Sequence, residues 1–96
     1  MTNLVTPTIH NNGTDGQELL LQVLRILDSL DLVQAAMREA SPNPRDYYPQ
    51  GSDATAEARK AYYERYAQVN TMIEEFQALA FAIDAQNEAR AERSAA

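Results

Sequence analysis

Residues 14–40, TDGQELLLQVLRILDSLDLVQAAMREA, decide the fold. Leu19, Val23, Ile26, Leu30, Val33, Met37 and Ala40 follow one another in alternating steps of four and three, the period that gathers apolar side chains on one helix face. Thr14 and Gln17 have capping-box spacing, and Asp15 and Glu18 offer the same device one residue on. Both acids suit the positive end of a helix. The spacing therefore predicts a helix over residues 14–40. Ser41-Pro42-Asn43-Pro44 follows, and proline lacks the amide a helix needs and steers its predecessor out of helical dihedrals.

Downstream, Tyr62, Tyr66, Val69, Ile73, Phe76, Ala80 and Ile83 repeat the same steps and predict a second helix over residues 54–86, capped by Ser52 or Asp53. A loop over residues 41–53 joins the two, which reads as an antiparallel αα-hairpin. Residues 87–96, NEARAERSAA, have high helix propensity but no large apolar anchor, so the expectation is a frayed tail without a folding role. Residues 1–13 form an N-terminal arm and turn. The fold class is all-α.

Leu20, Leu24 and Leu27 lie beside the main seam of the first helix, and Met72 and Leu79 beside that of the second. One partner helix cannot cover so much apolar surface. Either the arm, with Leu4, Val5 and Ile9, folds back over the leucines, or hairpins assemble into a homo-oligomeric bundle. A two-helix hairpin alone rarely makes a dry core, so a homo-oligomer is expected.

At 96 residues with no cysteine and a net charge of −6, the chain is one small domain stabilised by packing rather than by disulfides or thiolate metal sites. Residues 38–66 hold five basic and five acidic residues, so there is no uncompensated basic stripe and duplex nucleic acid is an unsuitable partner. No apolar run is long enough for a membrane span, and the start of the chain lacks the basic and apolar regions of a secretory signal. Asn12-Gly13-Thr14 matches the glycosylation sequon but reads as turn chemistry.

All five tyrosines, Tyr47, Tyr48, Tyr62, Tyr63 and Tyr66, fall within twenty residues, beside Arg38, Arg45, Arg59, Lys60 and Arg65. Tyr62 and Tyr66 belong to the seam. Tyr47 and Tyr48 sit in Arg45-Asp46-Tyr47-Tyr48-Pro49-Gln50-Gly51 and read either as a lid on the hairpin end or, with Tyr63, as a stacking platform for a planar ring. In the second case Arg45 or Arg59 would grip a phosphate or carboxylate in its planar fork, with Asp46 and Gln50 adding polar contacts. A second candidate segment, His10-Asn11-Asn12-Gly13-Thr14, precedes the first helix and reads either as a capped turn or as a source of contacts from His10, Asn12 and the amides near Thr14. A helix of about 26 residues spans roughly 40 Å, so the two segments can share a ligand only across a subunit interface. Paired carboxylates such as Glu74 and Glu75 lack a histidine partner, and no serine has an identifiable base. A non-enzyme without cofactor or metal is expected.

The Ile9-His10-Asn11-Asn12-Gly13-Thr14 and Arg45-to-Gly51 motifs together resemble those of small proteins encoded in bacteriophages and prophages. At the level of architecture, an oligomerising helical hairpin also looks like the phage sponge proteins that sequester cyclic-nucleotide or ADP-ribose-type immune signals. That resemblance implies a small nucleotide-derived ligand and residence in the host bacterial cytoplasm, and it carries over no binding residue. The competing expectation is a helical protein-protein interaction module or minor phage structural protein without a small ligand.

Overall fold

The computed structural model describes residues 4–95, so residues 1–3 of the arm and residue 96 of the tail lie outside the described residues. Helix α1 spans Gly16–Glu39 and helix α2 spans Ala54–Ala95, and no strand occurs among the described residues. The two helices pack along each other as a hairpin with extents of 69 × 25 × 20 Å. Its length is that of α2, since 42 residues at about 1.5 Å each give roughly 63 Å.

Asp15, the second capping register, starts α1: its carboxylate accepts the Glu18 amide at 3.4 Å. The helix ends at Ala40, whose amide donates to the carbonyls of Ala36 and Met37 at 3.1 and 3.2 Å. Between the helices the chain makes two consecutive 3₁₀ turns, Pro44–Asp46 and Tyr48–Gln50. The Asn43 side chain opens the first by accepting the Arg45 amide at 3.0 Å, with Pro44 in the position where a missing amide costs nothing. Gly51 then takes φ 126° and ψ 167°, a backbone region open essentially to glycine alone, and the chain turns into α2 at Ala54.

Two expectations need correction. The α1 seam is rotated: Val23 is buried, and Leu19, Leu30 and Met37 are half-buried. Ile26 and Val33, however, are 38% and 44% exposed, and Ala40 is exposed. Leu20, Leu27 and Gln34 take their places against α2, and the Gln34 side chain donates to that of Asn70. Both registers step by four and three and share Val23, Leu30 and Met37, so periodicity cannot separate them.

The second correction concerns residues 87–96, expected to fray. Helix α2 continues through them to Ala95, and its Ile83-Asn87-Arg90 positions extend the seam with polar groups in place of apolar ones. Those groups hold the N-terminal arm. Gln86 donates to the Pro7 carbonyl at 2.7 Å and accepts the Ile9 amide at 3.1 Å. Asn87 donates to the Gly16 carbonyl at 3.2 Å, and Arg90 to the Ile9 carbonyl at 3.0 Å and to Asn11 Oδ1 at 3.5 Å. An extended arm has backbone donors and acceptors without helical partners, which is why amide and guanidinium side chains anchor it where leucines would not.

So held, the arm sets Ile9 beside Val23 and Ile83, the buried core, with Leu19, Leu20, Leu27, Phe76, Leu79 and Ala80 packed around them. Among the described residues of the arm, Ile9 enters the core, while Leu4 and Val5 stay 48% and 83% exposed. The arm thus closes the end of the groove and leaves the leucines farther along uncovered.

Gly16 is needed for the close approach of α2. A Cβ there would collide with the Asn87 side chain and stand 3.0 Å from Ile9 Cδ1. In an exposed helix, Gly→Ala stabilises by about 0.5–1 kcal/mol. Here Gly16→Ala is expected to destabilise by about 1 kcal/mol, because Asn87 must surrender its bond to the Gly16 carbonyl. Urea titration of Gly16→Ala in the native and Asn87→Ala backgrounds checks this: the sign reverses to stabilising once Asn87 is gone.

Candidate ligand site

The tyrosine-rich end is built from the last turn of α1, the two 3₁₀ turns and the first turns of α2. Tyr62 and Tyr66 face α1 as their seam positions require. The Tyr62 hydroxyl donates to the Met37 carbonyl, and Arg38 donates to the Tyr66 hydroxyl at 3.0 Å. These bonds satisfy the polar tips of two half-buried rings and fix the Arg38 guanidinium in place.

Tyr63 is 64% exposed and Tyr48 71% exposed, whereas Tyr47 is half-buried between the 3₁₀ turns. Arg45, Asp46 and Gln50 are exposed on those turns, and the second turn packs against α2. Arg59 is exposed one helical turn before Tyr63.

Two solvent-open clefts meet at Tyr63. One, of about 430 Å³, is lined by Met37, Arg38, Ser41, Tyr62, Tyr63 and Tyr66. The other, of about 630 Å³, lies along the outer face of α2 and is lined by Ala56, Arg59, Lys60, Tyr63, Glu64 and Ala67. Each therefore offers an aromatic face and a guanidinium. Arg38, absent from the expected site residues, belongs to this group. The signal that could have found it is its position near the end of the α1 seam, where a long cationic side chain reaches the Tyr66 ring.

At the opposite end, His10, Asn11, Asp15, Asn87, Arg90 and Ser94 help line a polar cleft of about 390 Å³. His10 belongs to that lining. Asn12 and Thr14 are exposed outside it. The Gly13 amide donates to the His10 carbonyl at 3.1 Å, closing the turn, and the His10 ring lies against Gly13. The Asp15 carboxylate already accepts the Glu18 amide. In one chain this end is a fastened turn, and roughly 36 Å of α1, its 24 residues at about 1.5 Å each, separates it from the tyrosines.

Among the described residues, no group of three or more histidine, cysteine, aspartate or glutamate side chains is placed to hold a metal ion, and no helix is long and apolar enough to cross a membrane. No protein-family model matches the chain, and no curated protein or solved structure matches it.

Proposed function

We propose that this is a phage-encoded, non-enzymatic binding protein that sequesters a small nucleotide-derived immune signal, a cyclic nucleotide or ADP-ribose derivative, at a site between subunits in the host cytoplasm. The observation that carries the reading is the exposure of Tyr48 and Tyr63 beside arginines. Tyr63 lines both clefts, one with Arg38 and the other with Arg59 and Lys60. A ring left in water has no folding reason to be tyrosine, but it offers a face on which a base stacks. Neighbouring guanidiniums match phosphate oxygens two at a time. Arg45, Asp46, Tyr47 and Gln50 stand on the adjoining turns to meet the sugar and the remaining phosphate. His10, Asn12 and Thr14 enter only from a second copy.

Calorimetry against a panel of cyclic dinucleotides and ADP-ribose derivatives tests this directly, and absence of heat with every one of them overturns it. Stacking on an aromatic side chain contributes about 1–3 kcal/mol per base. Tyr63→Ala and Tyr48→Ala are therefore each expected to weaken binding by about 5- to 150-fold with an unchanged melting temperature. Tyr62→Phe should do the converse, lowering the melting temperature through the lost Met37 bond and leaving affinity alone.

A second reading, a helical interaction module without a small ligand, draws on the exposure of Leu24 and Phe81, at 43% and 76%, which line one groove together. Apolar side chains gathered on a surface mark protein contacts. A monomer that shows no nucleotide heat favours it.

A further inference from the structure

We infer that the groove between α1 and α2 near the arm is a self-association surface that takes a second copy of this chain, antiparallel, with a twofold axis close to Leu27. This deepens the ligand reading above and rests on it for the site's purpose. The pairing itself stands on four observations.

The groove, of about 610 Å³, is lined by Leu20, Leu24 and Leu27 of α1 and by Ala80, Phe81 and Asp84 of α2. It is apolar along its floor, with Phe81 76% and Leu24 43% exposed.

The chain also has surface to hide. It exposes 7230 Å², whereas a compact monomer of 10.7 kDa exposes about 5,500 Å². The difference, roughly 1,700 Å², exceeds the approximately 800 Å² that each partner contributes to a standard stable interface.

Helix geometry makes the groove continuous with the tyrosine end. Eighteen residues are five turns, about 27 Å along the axis. Arg38 therefore repeats the angular position of Leu20, Tyr63 that of Phe81 and Tyr66 that of Asp84. The leucine groove and the cleft lined by Arg38 and Tyr66 therefore open on one side of the hairpin.

Charge then chooses the direction. Arg38 stands at the tyrosine end of this side, and Asp84 lines the groove at the arm end with Glu88 one helical turn on. Leu27 lies eleven residues from Arg38 and eleven from Gly16, which Asn87 bonds. An antiparallel pair about Leu27 thus sets Arg38 at the level of the partner's Asn87 and the partner's Glu88, cation against carboxylate. A parallel pair sets like charges together. The same operation carries Tyr63 and the 3₁₀ turns toward the partner's His10-to-Asp15 turn, so the two halves of the proposed site meet.

Light scattering of the full chain at about 100 µM should give a dimer or a multiple of it, a concentration at which an interface of this size is populated. Phe81→Glu and Leu24→Glu should give a monomer with undiminished helical circular dichroism, since both positions are exposed. Because the chain has no cysteine, single substitutions report the direction. Gln77→Cys, beside the axis, should form disulfide-linked pairs under oxidation, and Tyr63→Cys should not. A monomeric native chain, a dimer indifferent to Phe81→Glu, or cross-linking of Tyr63→Cys would each overturn the inference. A dimer that shows no nucleotide heat sinks the ligand reading alone, and nucleotide heat from a monomer sinks this one together with the placement of the site between subunits, leaving nucleotide capture itself standing.

Discussion

Replacing Ile83 by alanine is expected to cost about 2–5 kcal/mol of stability, the largest effect of any single side chain in the molecule. Ile83 is 1% exposed, and among the described residues Ile9 and Val23 are the only other hydrophobic side chains buried with it. It sits where α1, α2 and the arm converge, so the lost methyl groups leave a cavity that three separate elements would have to close. Equilibrium urea unfolding at fixed protein concentration, which an associating chain requires, reads this as a fall in midpoint at constant slope. Ile26→Ala supplies the contrast. Ile26 has the same residue type and an equally good place in the periodic pattern, but it is 38% exposed, and its loss should cost under about half as much. Equal costs for the two would mean that the α1 register described above is wrong.

A chain ending at Gln86 is expected to lose about 2–4 kcal/mol, a fall in melting temperature of more than about 10 °C for a domain of this size. Such a chain lacks the Asn87 bond to Gly16 and both Arg90 bonds, to Ile9 and to Asn11. Gln86 alone then holds the arm, and Ile9 loses its anchorage over Val23 and Ile83. Limited proteolysis should cut within residues 4–12 of the shortened chain and spare the full one. A chain ending at Arg93 keeps every one of these bonds and should melt within about 2 °C of the full chain. Equal melting of all three would show that the end of α2 carries no part of the fold.

The second expectation departs from the sequence-based one, and the difference is instructive. Residues 87–96 contain no large apolar side chain, and apolar periodicity is blind to such a segment. Asn87 and Arg90 nevertheless continue the steps of four and three from Ile83. A polar residue on a seam position predicts a partner with unpaired backbone groups, and the extended arm is that partner. The same blindness hid Gln34, which pairs with Asn70 on the seam of a hairpin otherwise packed by leucines. Arg38 escaped for a related reason, since sequence alone weighs it as one exposed cation among several, whereas its bond to Tyr66 gives it a fixed direction.

The candidate site divides in the same way. That Tyr62 and Tyr66 are structural and Tyr63 is not follows from helical phase, because a residue one step off the seam turns away from the partner helix. That Tyr47 is half-buried while Tyr48 is 71% exposed does not follow. The two stand side by side in one motif, and the pair of 3₁₀ turns, set by Pro44 and Pro49 and closed by Gly51, decides which ring the helices cover.

The sequence by itself determined the all-α hairpin, the start of α1 to within two adjacent capping registers at Thr14 and Asp15, the proline-bounded break and the start of α2 at Ala54. Each of these is local: caps, prolines and periodicity act within a few residues, and their free energies are legible wherever they occur. The tertiary structure alone decided which of two equivalent registers α1 uses, how far α2 runs and what the arm does. Those outcomes depend on groups some 70 to 80 positions apart, Gln86 with Pro7, Asn87 with Gly16 and Arg90 with Ile9. No short-range pattern records such a meeting, because its stabilisation exists only once the chain has folded back on itself.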